Sequence, residues 1–240
     1  MNDSKAGIAR LSLGRRSALL LLLTQVGVLA AMFNALGSRP AAAAGPGPVR
    51  IVAFGDSLTA GFGLAPNEAF PVQLAAALKA KGRNVAVTNA GVSGDTSAGG
   101  LARFDWAIPD DTEAVILELG ANDALRGIDP ALTRKAMGEI VARLKARRIE
   151  VLIAGMKAPS NWGDSYTKSF DAIFPELAEA NGTLLYPFFL DGIVMQPGLN
   201  LPDGLHPTAK GVAEIVRRIL PSVEALIDRV EKRRTASSRN

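Results

Sequence analysis

From residue 49 to residue 188, five short apolar runs alternate with longer segments of helical spacing. The runs are VRIVAFG (49–55), NVAVTNAG (84–91), EAVILELG (113–120), EVLIAG (150–155) and GTLLYPF (182–188). They are short and apolar and most stop at a glycine, which predicts buried strands. Between them, AFPVQLAAALKAKG (69–82) repeats apolar residues at Phe70, Leu74, Ala77 and Leu78. PALTRKAMGEIVARLKARR (130–148) opens with proline at a first-turn position and closes on basic residues, as helix ends prefer. SYTKSFDAIFPELAEANG (165–182) reads as helix with a kink or break at Pro175, and residues 206–230 as one or two helices interrupted near Pro221. Regular alternation of strand and helix predicts one α/β domain, a three-layer α/β/α sandwich on a mainly parallel five-stranded sheet. Ligands of such sheets gather at the carboxyl ends of the strands.

The first 44 residues stand outside this pattern. Lys5, Arg10, Arg15 and Arg16 precede an apolar run from about Ala18 to Leu36, and Ala41–Ala44 follow. That order is the order of an export signal, with cleavage expected near Ala44. Arg15-Arg16 ahead of the run also suits twin-arginine export. An uncleaved membrane anchor is the alternative, since the run approaches bilayer-spanning length; polar Thr24, Gln25 and Asn34 weaken it. The predicted organisation is a leader at 1–44, a domain at 45–228 and a basic, flexible tail at 229–240. An exported, periplasmic or secreted protein follows from it.

Setting the leader aside changes the charge. Residues 1–44 hold five of the 27 basic and one of the 23 acidic residues, so the remainder carries 22 of each. The basic balance belongs to the leader and gives no reason to expect a nucleic-acid partner. Five of the remaining basic residues crowd RVEKRRTASSRN, read as a solvated, frayed end with weak membrane-surface contact. The chain has no cysteine, which excludes a disulfide framework, a zinc–thiolate site, an iron–sulfur cluster and a cysteine nucleophile. A single histidine disfavours a histidine-based metal site, so no metal and no cofactor are expected.

Four polar clusters fall after predicted strands or before the last helix: GDSLTAG (55–61), NAGVSGDTS (89–97), GAND (120–123) and DGLH (203–206). Taken singly each has an ordinary explanation, a turn or a cap at Asp56, Ser57, Asp95 or Thr96. Taken together they supply a chemistry. A serine hydroxyl needs a base to become a nucleophile, and the base is usually histidine. His206 is the one candidate. Its second nitrogen needs an acceptor, and Asp203 stands three residues ahead in a loop set by Gly204 and Pro207. A tetrahedral intermediate needs hydrogen-bond donors, which a glycine amide and an asparagine amide after neighbouring strands can give.

In these four blocks the sequence resembles the SGNH (GDSL-type) hydrolases, from about Arg50 to Pro207, and looks most like exported bacterial arylesterases, acyl-CoA thioesterases and lysophospholipases. The resemblance implies a flavodoxin-like fold without metal. It implies Ser57 as nucleophile, Asp203 and His206 completing the triad, and oxyanion donors at Ser57, Gly94 and Asn122. It also implies a substrate-gating loop at 156–166, where Trp162 and Tyr166, with Phe188 and Phe189, either line an acyl groove or simply pack. No G-x-S-x-G elbow surrounds Ser57, which argues against the α/β-hydrolase fold. Asp56 reads as structural, bonding amides of the second block. The expected substrate is a small-molecule ester, thioester or lipid, and the expected state a monomer. Acyl transfer to an alcohol shares the same intermediate. The rival from another class is a flavodoxin-like phosphate- or nucleotide-binding protein, whose first loop would cradle phosphate; no G-x-x-x-x-G-K-[ST] motif accompanies it.

Overall fold

The computed structural model describes residues 47–239. The leader, its cleavage point and the alternative anchor lie outside the described residues. Five parallel strands form one sheet: β1 (Val49–Gly55), β2 (Val85–Gly91), β3 (Ala114–Glu118), β4 (Glu150–Ala154) and β5 (Leu184–Tyr186), in the order β2-β1-β3-β4-β5. This is the flavodoxin order, with its switch point at β1 between β2 and β3. β1, β3 and β4 are inner strands and almost wholly buried; β2, at an edge, alternates between half-buried and exposed positions. The continuous apolar runs therefore mark the middle of the sheet and the alternating one its rim.

Helices cover both faces. α1 (Ser57–Ala60) is a single turn after β1, and α2 (Phe70–Ala80) follows it. α3 (Ser97–Ala102) and α4 (Phe104–Ala107) follow β2, and α5 (Ala121–Leu125) and α6 (Pro130–Ala146) follow β3. α7 (Asp164–Asp171) and α8 (Ile173–Asn181) connect β4 to β5, and α9 (Ala209–Ser237) closes the chain. α2 and α9 pack together on one face, and α3, α6 and α8 associate on the other. Asp129 caps α6 through its side chain and Pro130 opens it, so this helix starts where its sequence directs. The break in 165–182 comes at Ala172, which puts Pro175 in the first turn of α8, where its missing N–H costs nothing.

Two expectations fail at the carboxyl end. α9 runs unbroken through Pro221 for 29 residues. Val212, Ile215, Val216, Ile219, Val223, Leu226, Ile227 and Val230 form one buried stripe that stays in phase on either side of the proline, while Pro221 itself faces solvent. The carbonyl it leaves unpaired, that of Arg217, belongs to an exposed residue and can be hydrated. The basic end is also no frayed tail. Helix continues to Ser237, and its arginines grip the starts of the strands. Arg234 binds both carboxylate oxygens of Glu113 at 2.7 and 2.5 Å and the Pro48 carbonyl at 2.9 Å. Arg233 reaches Glu150 at 3.0 Å and the Arg148 carbonyl at 2.6 Å. Charge density suggested solvation; partners distant in sequence make it a clamp. No helix among the described residues is long and apolar enough to cross a membrane.

Arg234→Ala should lower the unfolding free energy by about 1–2 kcal/mol, since it removes a two-pronged, largely shielded ion pair. Arg239→Ala should change nothing. Urea unfolding of both variants tests this, and equal stability of the two would return the segment to the status of a loose tail.

Candidate active site

The site is built where β1, β2 and β3 end. Ser57 begins α1, two residues past the end of β1, and is 8 % exposed. Gly55 before it has no room for a side chain: a Cβ there would lie 2.1 Å from Thr59 Oγ1 and 2.5 Å from the Glu118 carbonyl. Asp56 turns the chain by accepting the Leu58 N–H at 3.0 Å, which caps the short helix. Its other oxygen accepts from Asn122 Nδ2 at 3.2 Å. Asp56 is thus structural, but it bonds its own turn and the third block rather than amides of the second.

The second and third blocks are fastened together. Buried Asp123 accepts from Ser97 N (2.8 Å), Ser97 Oγ (2.5 Å) and Thr133 Oγ1 (3.0 Å). Asn122 Nδ2 also donates to the Asp95 carbonyl at 2.9 Å, and Arg126 donates to the Gly94 carbonyl at 3.0 Å. Gly94 adopts φ +86° and Gly120 φ +114°, left-handed conformations that explain the glycines of both blocks. The backbone N–H groups of Ser57 and Gly94 have no acceptor among the described residues, whereas both hydrogens of the Asn122 amide are engaged. An oxyanion between these groups would have to draw one Asn122 hydrogen from its present partner.

The loop before α9 brings the histidine in. Asp203 Oδ1 accepts the N–H groups of Leu205 and His206 at 2.9 and 3.0 Å, and Gly204 takes φ +70°. This turn sets Asp203 Oδ2 2.7 Å from His206 Nδ1. His206 Nε2 lies 2.9 Å from Ser57 Oγ. The Asp203 carboxyl is pulled down to about 2, first by the His206 backbone N–H, next by the imidazole and then by the Leu205 N–H. An ionised carboxylate only accepts, so the ring proton belongs on Nδ1 and Nε2 is left to accept the serine hydroxyl hydrogen. All five residues singled out in the sequence, Ser57, Gly94, Asn122, Asp203 and His206, meet at this end of the sheet.

Behind the serine, Asp56 is paired with a second buried carboxylate, Glu118, that the sequence reading passed over. Glu118 is fully buried at the end of β3; its Oε2 accepts from Thr59 Oγ1 at 2.7 Å and from Asp56 N at 3.4 Å. Its Oε1 has no hydrogen-bond partner among the described residues. Burial, then the neighbouring Asp56 charge, pushes the Glu118 carboxyl well up. Burial likewise raises Asp56 to about 6, against the Leu58 N–H, which lowers it. A glutamate inside the apolar run EAVILELG was the available signal. Arg103, 5 % exposed, ties this region to the second block by bonding Asp95 Oδ2 (2.5 Å) and the Gly55 carbonyl (2.8 Å); nothing in its sequence neighbourhood announces that.

A groove of about 540 Å³ opens beside Ser57, Asn122 and His206. Its walls are largely apolar, with Leu58, Leu125, Met156, Phe188, Leu190 and Val194 among them. Of the four aromatics considered from sequence, only Phe188 lines it. Phe189 is fully buried and packs edge-on against Phe70. Tyr166 donates to the Ile128 carbonyl at 2.9 Å, and Trp162 leans on Tyr166 and Gly127 beside a separate cleft. The loop carrying them turns its aromatic face away from the groove. Leu190 and Val194 lie in a segment without regular periodicity, which hid them. Among the described residues no three His, Asp or Glu side chains are grouped to hold a metal ion.

Residues 53–213 match the GDSL-like Lipase/Acylhydrolase family. Esterase TesA of Pseudomonas aeruginosa is 33% identical over 178 residues, 74% of this chain and 89% of that protein. Thioesterase 1/protease 1/lysophospholipase L1 of Escherichia coli is 36% identical over 158 residues, 65% of this chain and 74% of that protein. Among solved structures, AlinE4, an SGNH-hydrolase family esterase, superposes with a TM-score of 0.64 at 44% identity, covering 75% of this chain and 97% of that one.

The carboxylate pair carries a pH signature. Asp56 titrates near 6 when folded and near 4 when unfolded, so between those values the folded chain binds more protons. Stability should therefore fall as pH rises from 4 to 6, by about 2–3 kcal/mol, and Glu118 should extend the decline above 6. Asp56→Asn, which cannot ionise, should flatten the slope in that window. Urea unfolding across a pH series checks it; an unaltered slope in the variant would remove Asp56 as its source.

Proposed function

The chain belongs to the GDSL-like lipase/acylhydrolase family, and we propose that it hydrolyses carboxylic esters, among them aryl esters, lysophospholipids and thioesters, through an acyl-enzyme on Ser57. It is a serine ester hydrolase, and the observation that carries the assignment of residues is the 2.9 Å approach of His206 Nε2 to Ser57 Oγ, with Asp203 2.7 Å from the other ring nitrogen.

In this reading His206 accepts the Ser57 proton as Oγ attacks the ester carbonyl. Asp203, ionised far below neutrality, holds the Nδ1–H tautomer and stabilises the imidazolium that forms. The N–H groups of Ser57 and Gly94 and the Asn122 side-chain amide receive the oxyanion. Breakdown of the tetrahedral intermediate expels the alcohol or thiol, protonated by His206, and leaves the acyl group on Ser57. Water, activated by the same imidazole, then releases the acid and restores the serine. The apolar groove accepts the acyl or aryl portion, and its volume suits a ligand of modest size. A phosphate-cradling role for the first loop leaves the Asp203–His206 pair and the groove without a purpose.

We read the leader at 1–44 as an export signal removed near Ala44, and the working enzyme as an exported monomer. Amino-terminal sequencing of protein recovered after export should find a start within a few residues of Gly45; recovery of Met1 in a membrane fraction would favour an anchor instead.

Ser57→Ala should abolish both turnover of short nitrophenyl esters and labelling by a serine-directed phosphonate, with the thermal midpoint unchanged. Asp203→Asn should leave the fold intact and cost on the order of 10³–10⁴ in kcat, because the wrong tautomer is then favoured. Phosphonate labelling that survives in Ser57→Ala would defeat the assignment. A panel of short and long nitrophenyl esters, lysophospholipid and acyl-CoA ranks the substrates.

A further inference from the structure

The stretch GFG (61–63) lies just past the nucleophile turn and has no part in the mechanism above. Gly61 and Gly63 both sit in left-handed backbone, at φ +87° and +73°. Neither has space for a side chain: a Cβ on Gly61 would lie 2.7 Å from Ala69 Cβ, and one on Gly63 would lie 2.8 Å from Leu201 Cδ1. Between them Phe62 is 50 % exposed and contributes nothing to the core. Two restricted glycines that present an aromatic ring to the surface call for an explanation other than packing.

Among the described residues the ring has one aromatic neighbour, and it is the proposed base. The centroids of Phe62 and His206 are 4.5 Å apart, with the planes tilted by 37°. The Phe62 N–H meanwhile donates to the Ser57 carbonyl at 3.1 Å. One residue is thus tied by its backbone to the proposed nucleophile and by its ring to the imidazole. Phe62 does not line the groove, although Gly204, Leu205 and His206 do. It therefore meets the imidazole from outside that groove.

We propose that Phe62 is a positioning residue, an aromatic brace that fixes the tilt of the His206 ring; this rests on the reading of Ser57 and His206 above. The need for a brace follows from how the imidazole is held. Its two hydrogen bonds, to Asp203 and to Ser57, lie at its two nitrogens. The ring turns about its Cβ–Cγ bond; these two bonds oppose that turn, and the one to Ser57 ends on a rotatable hydroxyl. The Asp203 and His206 side chains are 37% and 19% exposed, so both reach solvent. The Phe62 ring packed against the imidazole adds a further stop. The negative face of an aromatic ring also favours the cationic imidazolium formed in each half of the cycle. The paired glycines then have a purpose: they lift Phe62 out of the helix turn and set it beside a loop that arrives from far along the chain.

The test separates positioning from substrate contact and from stability. Phe62→Ala should lower kcat on a short nitrophenyl ester about tenfold, with KM within about twofold. Phosphonate labelling of Ser57 should slow by a similar factor, and the thermal midpoint should hold. Phe62→Tyr should restore the rate, whereas Phe62→Leu, apolar but without a ring face, should stay slow. Unchanged kcat in Phe62→Ala would overturn the proposal, as would a raised KM at constant kcat or a Leu variant as fast as Tyr. Should the alanine variant prove unstable, the Leu and Tyr pair decides alone. A wild-type chain that neither turns over esters nor takes up phosphonate would instead refute the reading of Ser57 and His206.

Discussion

Ser57 Oγ and His206 Nε2 meet across 149 residues of chain, and the remaining architecture serves to keep them 2.9 Å apart. The serine end is stiff because β1 lies between β2 and β3 and ends in a capped turn. The histidine end is a loop, fixed by its own short ladder. Leu201 N donates to the His206 carbonyl at 2.7 Å, Thr208 N donates to the Leu199 carbonyl at 2.9 Å, and Asn200 pairs with Pro207 as an antiparallel bridge. Thr208 then caps α9, and Gln73 of α2 binds the Ala209 carbonyl at 3.1 Å. The loop is thereby pinned to a helix that packs against the sheet, and the sheet carries the serine. A polar contact at the surface inherits its accuracy from an apolar core beneath it.

Much of this was legible in the sequence. Strand positions followed from apolar runs, because an inner parallel strand must be apolar on both faces. The site blocks were legible because turn residues at strand ends are restricted by backbone conformation, and glycine at Gly94 or Gly120 advertises a left-handed φ. Pro221 misled because local chemistry predicts a helix break, whereas a buried stripe on both sides of it outweighs one missing hydrogen bond. The basic end misled for a related reason. Composition reports charge but not the acids it will meet, and Glu113 lies 121 residues away from Arg234.

The groove and the buried polar layer were least legible. Leu190 and Val194 line the groove from an irregular segment, where no period marks which side chains turn inward. Trp162 and Tyr166 occupied the expected loop but face its other side. Glu118 went unremarked inside an apolar run, yet it receives the Thr59 hydroxyl beneath the turn that carries Ser57. Asp123 entered only as the last residue of GAND, yet it joins Ser97 to Thr133 and so holds two site blocks in one frame. Such contacts depend on three-dimensional convergence, which no single stretch of sequence records.

The arginine clamp of α9 bears on the order in which this protein comes into being. The residues that fasten the beginnings of β1, β3 and β4 leave the ribosome only after every strand has done so. A nascent chain halted before Ala209 has all five strands but lacks one of the two helices that cover one side of them, so part of its core faces water. Emergence of α9, rather than of the strands, is the event that lets this domain close.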